Sequence, residues 1–283
     1  MNKLNIYGFA DEASPLIDGQ IQAMKRNHLD GLEIRNVDNI NVADITLEKA
    51  REVRKKLEDN YLCVWSVGSP IGKIDIEKDN FGEHLEKFKH VLDITNELHA
   101  ENIRLFSFYM PENKNPEDYR NEVIERLGVF VDLAQGSGII LCHENEKGIY
   151  GDNVQRCLEI FKALPQMKGI FDPANFVQCE EDTLKAWEML HPYIKYLHIK
   201  DAMANGSIVP AGKGSGNIPE LIAAYQRLGG RAITMEPHLA VFDGLAGLER
   251  DGEQSNVGEY AYNSNDEAFD VACEAVRNIL QTI

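Results

Sequence analysis

The sequence predicts an α/β fold of the (βα)8, or TIM-barrel, type, with residues 1–283 forming one domain. Three observations predict it. Short apolar runs alternate with amphipathic segments eight times. The length of 283 residues suits a barrel, which typically takes about 250. Four apolar runs in succession stop at a residue able to bind a metal: ILCHE at Glu144, GIFD at Asp172, YLHIKD at His198 and AITME at Glu236.

The elements follow in order. LNIYGF (4–9) reads as a strand, and DEASPLIDGQIQAMKRNH moves into a helix. DGLEIR (30–35) is a strand, and ITLEKAREVRKKLEDN (45–60) is a helix with apolar spacing near 3.6. Thr46 is placed to cap that helix, with Lys49 where a capping box would carry an acid. YLCVWSVGSP (61–70) is a strand ending in Gly and Pro, followed by a helix over 81–100 and a strand ENIRLFSF over 101–108. The helix over 115–138 is stopped by Gly136 and Gly138, and strand IILCHE (139–144) follows. DNVQRCLEIFKAL is a helix, KGIFD (168–172) a strand, TLKAWEMLHPY a helix and IKYLHIKD (194–201) a strand. After a Gly-rich loop come helix IPELIAAYQRLGG, strand RAITME (231–236), a long loop and a last helix, DEAFDVACEAVRNILQTI.

Short, nearly all-apolar strands in alternation with helices imply a parallel sheet covered on its faces. Closure is favoured over an open sheet, which would leave edges to protect; no nucleotide-binding glycine fingerprint follows the first strand either. In a closed barrel the strand ends form the active face.

Composition narrows the function. The net charge of −17 removes the clustered cations that a duplex nucleic-acid partner would need. No run approaches the ~20 apolar residues that span a bilayer. The N-terminal MNKLNIYGFADEAS lacks a signal-peptide core, so a cytoplasmic protein without a membrane partner is expected. The five cysteines, 63, 142, 157, 179 and 273, fit neither a CxxC motif nor a paired framework and are expected to be buried reduced thiols.

Each candidate ligand has a bland reading. Glu144 could be a solvated loop acid, Asp172 before Pro173 a turn former, His198 a satisfied core histidine, and Glu236 before Pro237 a surface acid. Those readings do not explain why position and ligand type agree four times. Three carboxylates aimed into one cavity would repel each other without a cation. The donor set suits a divalent metal ion, with Mn²⁺ expected first and Mg²⁺, Co²⁺ or Zn²⁺ as alternatives.

The pieces HENEKG, FDPAN, LHIKD and MEP, with the opening GFADEASP and the later GSPIGK, resemble the sugar phosphate isomerase/epimerase family, the xylose isomerase-like TIM barrels. The resemblance covers the whole chain. It implies a metal held by Glu144, Asp172, His198 and Glu236, with Glu144 and Glu236 as the catalytic pair that removes and returns a proton beside a sugar carbonyl. Endonuclease IV in the same group needs further histidines, and most of those here fall on helices.

Substrate contacts are expected from Lys200, which shares the strand parity of His198; from Glu33, which ends strand 2 with Arg35; and from Trp65, Glu146 and His238. Phe106 is a second aromatic candidate for the pocket wall. Asn175 stands where the family often has His and is expected to hydrogen-bond a sugar hydroxyl, and the loop after His198 lacks the Arg that epimerases of the group often carry. His143 has the opposite parity to Glu144 and is expected to face the helices. PAGKGSG (210–216) is either a phosphate cradle or a plain turn.

The expected partner is a small sugar or polyol, with a homo-oligomer left open. The expected activity is isomerisation or epimerisation. A lyase or dehydratase acting by β-elimination is the alternative, and a sugar-binding barrel without turnover is a third.

Overall fold

The structure is a computed structural model that describes residues 3–245, 256–257 and 260–283. Eight parallel strands close into a barrel: β1 Asn5–Gly8, β2 Gly31–Ile34, β3 Cys63–Val67, β4 Asn102–Leu105, β5 Ile140–Glu144, β6 Lys168–Phe171, β7 Ile194–Ile199 and β8 Ala232–Met235. Each pairs with its sequence neighbours, and β1 pairs with β8 through Asn5↔Ala232 to Gly8↔Met235. The predicted barrel is therefore the observed one.

The helices are α1 Ile17–Arg26, α2 Leu47–Glu58, α3 Phe81–Leu98, α4 Arg120–Ala134, α5 Val154–Ala163, α6 Pro173–Gln178, α7 Thr183–Leu190, α8 Ile218–Arg227 and α9 Asn265–Leu280. Several of their starts are set by side chains that accept otherwise unpaired backbone N–H groups. Thr46 Oγ1 accepts from Lys49 N–H at 3.1 Å, as the sequence predicts. Asn80, Asn153, Asp182 and Ser264 do the same for α3, α5, α7 and α9.

Strict alternation misses three pieces. The short α6 lies between β6 and α7, and two hairpins pair Asn36–Val37 with Ile40–Asn41 and Asp201–Ala202 with Ile208–Val209. The strand expected over 194–201 thus ends at Ile199. The expected long loop before α9 lies partly outside the described residues. All five cysteines are free, but Cys63 is exposed at the lower end of β3 and Cys179 is half-buried, so burial of every thiol is corrected.

The main apolar core fills the layer between strands and helices. A second, small cluster plugs the barrel from inside: Tyr7, Cys142, Ile170, Tyr196 and Ala232, with Trp65 and Ile140 against it. Tyr7 stacks on Trp65 at 5.0 Å between ring centres, and Tyr196 meets Trp65 edge-on at 5.9 Å. This plug is the floor on which the mouth is built.

The GSPIGK segment crosses above β4. Phe106 N–H donates to the Ile71 carbonyl at 2.8 Å and Phe108 N–H to the Gly72 carbonyl at 3.0 Å. Gly72 has φ +89°, and a Cβ there would lie 2.0 Å from the Phe106 carbonyl oxygen, so only glycine fits.

Candidate metal centre at the barrel mouth

Alternation along a strand sends every second side chain inward. Glu144 is the last residue of β5, Asp172 and Glu236 immediately follow β6 and β8, and His198 lies near the end of β7. Four adjacent strands thus deliver three carboxylates and an imidazole to one arc. One ligand atom from each lies within 4.8 Å of the others, and all four residues are buried.

His198 sits at the centre. Its Nδ1 lies 2.8 Å from Glu144 Oε1 and 2.9 Å from Glu236 Oε2. Its Nε2 lies 3.0 Å from Glu33 Oε2. A carboxylate only accepts, so Nε2 carries a hydrogen toward Glu33, and Nδ1 is the nitrogen that faces the cluster. Glu33 is itself held, with Oε1 accepting from Tyr196 Oη at 2.8 Å and from Ser66 Oγ at 3.2 Å. A register shift between Leu32 and Glu33 lies directly before the residue that projects beneath the imidazole.

Two arginines complete the ring. Arg104 reaches Glu144 Oε2 at 3.2 Å and Glu236 Oε1 at 3.6 Å, and donates to the Gly68 carbonyl at 3.1 Å. Arg35 donates to Asp11 at 2.9 Å, and reaches Glu12 at 3.2 Å and Glu236 at 3.1 Å. Phe9 lies under both guanidinium groups, 4.4 Å from Arg35 and 4.9 Å from Arg104. Lys200 Nζ is 3.0 Å from Asp172 Oδ2 and 3.8 Å from Glu236 Oε2.

These charges set the protonation states. Burial alone would raise Glu236, but Lys200 and His198 outweigh it and hold the carboxyl well below its usual range. Burial pushes Asp172 up to about 7 against the pull of Lys200, with Glu144 and Glu236 adding to the rise. Burial opposes the charge on His198, yet Glu144 and Glu33 hold its pKa well above the usual imidazole value. Glu12 is pushed up to about 8, chiefly by burial, despite Arg35.

The residues fit a divalent ion. Glu144 Oε2, Asp172 Oδ2 and Glu236 Oε2 are buried, and the charges set against them are those of Arg104, Lys200 and His198. Three buried carboxylates and one imidazole, each with a ligand atom within 4.8 Å of the others, make a donor set that suits a divalent cation.

The other expected contacts divide by height in the barrel. Glu146 is at the mouth, 2.8 Å from Lys73 Nζ, and His238 lies tilted against Phe242, ring centres 5.6 Å apart, with its backbone N–H donated to Glu12 Oε2 at 2.7 Å. Glu33 lies beneath His198 with both oxygens engaged, so a direct sugar contact is corrected to a contact with the imidazole. Trp65 belongs to the inner plug, below Tyr196, and does not wall the mouth. Asn175 is spent on a cross-tie: its Nδ2 donates to the Asn145 carbonyl at 2.9 Å, while Asn145 bonds the Asp172 backbone at 2.9 and 3.0 Å. His143 faces the helices as expected, 2.9 Å from Ser107 Oγ and 6.0 Å from the Phe161 ring.

Arg104, Asn145, Asp11 and Glu12 were not singled out from the sequence. An Arg inside the apolar run ENIRLFSF, and the two acids of GFADEASP, were the available signals.

The family model for the xylose isomerase-like TIM barrel matches residues 21–251, and the chain belongs to that family. Solved structures share the fold. The IOLI protein with a bound zinc atom is 13% identical, with a TM-score of 0.77 over 99% of each chain. D-allulose 3-epimerase from Methylomonas sp. in complex with D-allulose is 17% identical, with a TM-score of 0.74 over 99% of this chain and 98% of its own. The probable 3-DHS dehydratase AsbF from Bacillus anthracis is 16% identical, with a TM-score of 0.74 over 98% of this chain and 99% of its own. No curated protein matches the chain in sequence.

Proposed function

We propose that the chain is a divalent-metal-dependent sugar or sugar phosphate isomerase/epimerase that transfers a proton next to a carbonyl. The observation that carries this reading is the buried cluster of Glu144, Asp172, His198 and Glu236, whose ligand atoms lie within 4.8 Å of one another. These four residues would hold the ion, with Mn²⁺ as the first choice. When bound, a divalent ion supplies Lewis-acid polarisation of a substrate carbonyl and its neighbouring hydroxyl.

The chain's own groups do the rest. Glu144 and Glu236 both lie against His198 Nδ1 and are the proton carriers in this reading. One carboxylate takes the hydrogen from the carbon beside the carbonyl; the C–H pair moves into a C–C double bond and an enediolate forms. Return of the proton to the opposite face gives the epimer, and return to the neighbouring carbon gives the isomer. General acid–base help of this kind is worth roughly 10²–10⁴-fold. Arg104 is shared by both carboxylates, 3.2 Å from Glu144 and 3.6 Å from Glu236. Lys200, Glu146 and His238 are the groups proposed to meet the sugar hydroxyls.

A second reading, a dehydratase or other β-eliminating lyase, draws on Glu12. Its carboxyl, raised to about 8, holds a proton at neutral pH beside His238 and could pass it to a departing hydroxyl. The similarity to AsbF is of fold only, but fits that reading. The partner proposed is a small sugar or polyol in the cytoplasm, not nucleic acid; among the described residues no helix is long and apolar enough to cross a membrane.

The test is a panel of ketoses and inososes incubated with Mn²⁺ and the protein in D₂O. The expected result is deuterium beside a carbonyl at unchanged skeleton mass, lost in Glu144→Gln and Glu236→Gln. A product lighter by one water supports the lyase. Full exchange in both variants sinks the assignment of the carriers.

A further inference from the structure

The glycine-rich segment that could have cradled a phosphate closes on the protein's own carboxylate. Asp201 Oδ2 accepts the N–H of Gly212 at 2.8 Å and of Gly214 at 2.9 Å. Its Oδ1 accepts the N–H of Gly216 and of Ala202, each at 2.9 Å. Four backbone donors thus converge on one carboxylate that is only 1% exposed. Convergent N–H groups of this kind form an anion-binding concavity, and here the anion is built in.

The glycines are those the carboxylate requires. A Cβ at Gly214 would lie 2.4 Å from Asp201 Oδ1 and 2.5 Å from the Ala202 carbonyl oxygen, and one at Gly216 would lie 2.6 Å from Oδ1. Gly212 has φ +82°. The same gathering brings the loop against the metal arc. The Cβ position of Gly216 is 3.2 Å from Pro173 Cβ, one residue after Asp172. On the other side of Asp201, Lys200 Nζ holds Asp172 at 3.0 Å.

We propose that Asp201 is a positioning residue: as the internal anion of segment 202–216, it seats that loop against Pro173 and fixes Lys200 relative to Asp172. Asp201 touches no reacting atom in this arrangement and acts through its neighbours. The catalytic part rests on the reading given under Proposed function; the anion part does not.

Asp201→Ala leaves the N–H groups of Gly212, Gly214 and Gly216 around a space of about a formate's size. The variant is expected to bind formate in calorimetry where the wild type does not. Its kcat for solvent-deuterium exchange should fall roughly 10²-fold, the order expected for ångström-scale misplacement. Formate should restore kcat along the same saturation curve as binding. Asp201→Asn, with one accepting oxygen, should lie between, and serves if the Ala variant folds only with formate. Should no sugar exchange even in the wild type, Mn²⁺ affinity replaces kcat: weakened in the variants and restored by formate. Absence of formate binding by Asp201→Ala overturns the internal anion. Recovery of melting temperature by formate without recovery of kcat or Mn²⁺ affinity overturns the positioning role.

Discussion

Replacing Glu33 with Gln tests whether His198 is prepared for a metal from below. Glu33 Oε2 accepts from His198 Nε2 at 3.0 Å, and Oε1 accepts from Tyr196 and Ser66. Gln is isosteric, but it has one oxygen. If that oxygen keeps Tyr196 and Ser66, the amide NH₂ faces Nε2 and forces that nitrogen to accept. The imidazole hydrogen then moves to Nδ1, the atom that faces Glu144 and Glu236. The tautomer becomes the wrong one for a ligand. Loss of an outer carboxylate partner of a metal-binding His typically weakens metal binding 10–100-fold, or about 1.4–2.8 kcal/mol. Both residues are fully buried, so solvent does not screen the effect. Calorimetric titration of metal-free wild type and Glu33→Gln with Mn²⁺ measures it, with circular dichroism to confirm that both are folded. Tyr196→Phe, which removes one donor but keeps the charge, should lose only a fraction of the same affinity. Equal Mn²⁺ affinity in folded wild type and Glu33→Gln would refute the tautomer argument.

Mn²⁺ at 100 times its dissociation constant should stabilise the wild type by about 2.7 kcal/mol, seen as a rise in melting temperature that a chelator reverses; Asp172→Asn should show little of it. Gly72→Ala must move the Phe106 backbone and hold a positive φ, so a loss of about 3 kcal/mol or more is expected in urea unfolding. His84 supplies the pH dependence. Burial, with Lys87 nearby, lowers its pKa to about 4, and its Nε2 accepts from Gly72 N–H at 2.8 Å. A base whose folded value lies below the unfolded one, about 6.5, contributes stability that is fully present above 6.5. That contribution fades as pH falls toward 4, by at most about 3 kcal/mol. His84→Gln keeps an acceptor without the proton, so its urea midpoint should vary less between pH 6.5 and 4.5; an unchanged slope would exclude His84 as the source.

The barrel and the metal arc were legible because both depend on short-range regularities. Alternating periods place the strands, and the residue that ends an apolar run lands at the mouth. What stayed hidden depends on distance and height. Parity says that Trp65 and Glu33 point inward, not at which layer, and the two fall in the plug and under His198. The pairing of Glu33 with His198 spans 165 positions, and no local pattern announces it. Asp201 follows the same logic: the glycines of 210–216 were visible as a cradle, but its occupant came from the hairpin just after β7. Arg104 was passed over as part of a strand, although a charge inside an apolar run is rarely buried without partners.

All four metal-ligand candidates come from β5 to β8, whereas Asp11, Glu12, Glu33, Arg35 and Arg104 come from the first half of the chain. Grip thus comes from the second half of the gene product, and much of the tuning, Lys200 apart, from the first. Substitutions before residue 105 alter reactivity, metal affinity or substrate choice without removing a ligand, which gives descendants of such a barrel a route to new chemistry that keeps the old anchor.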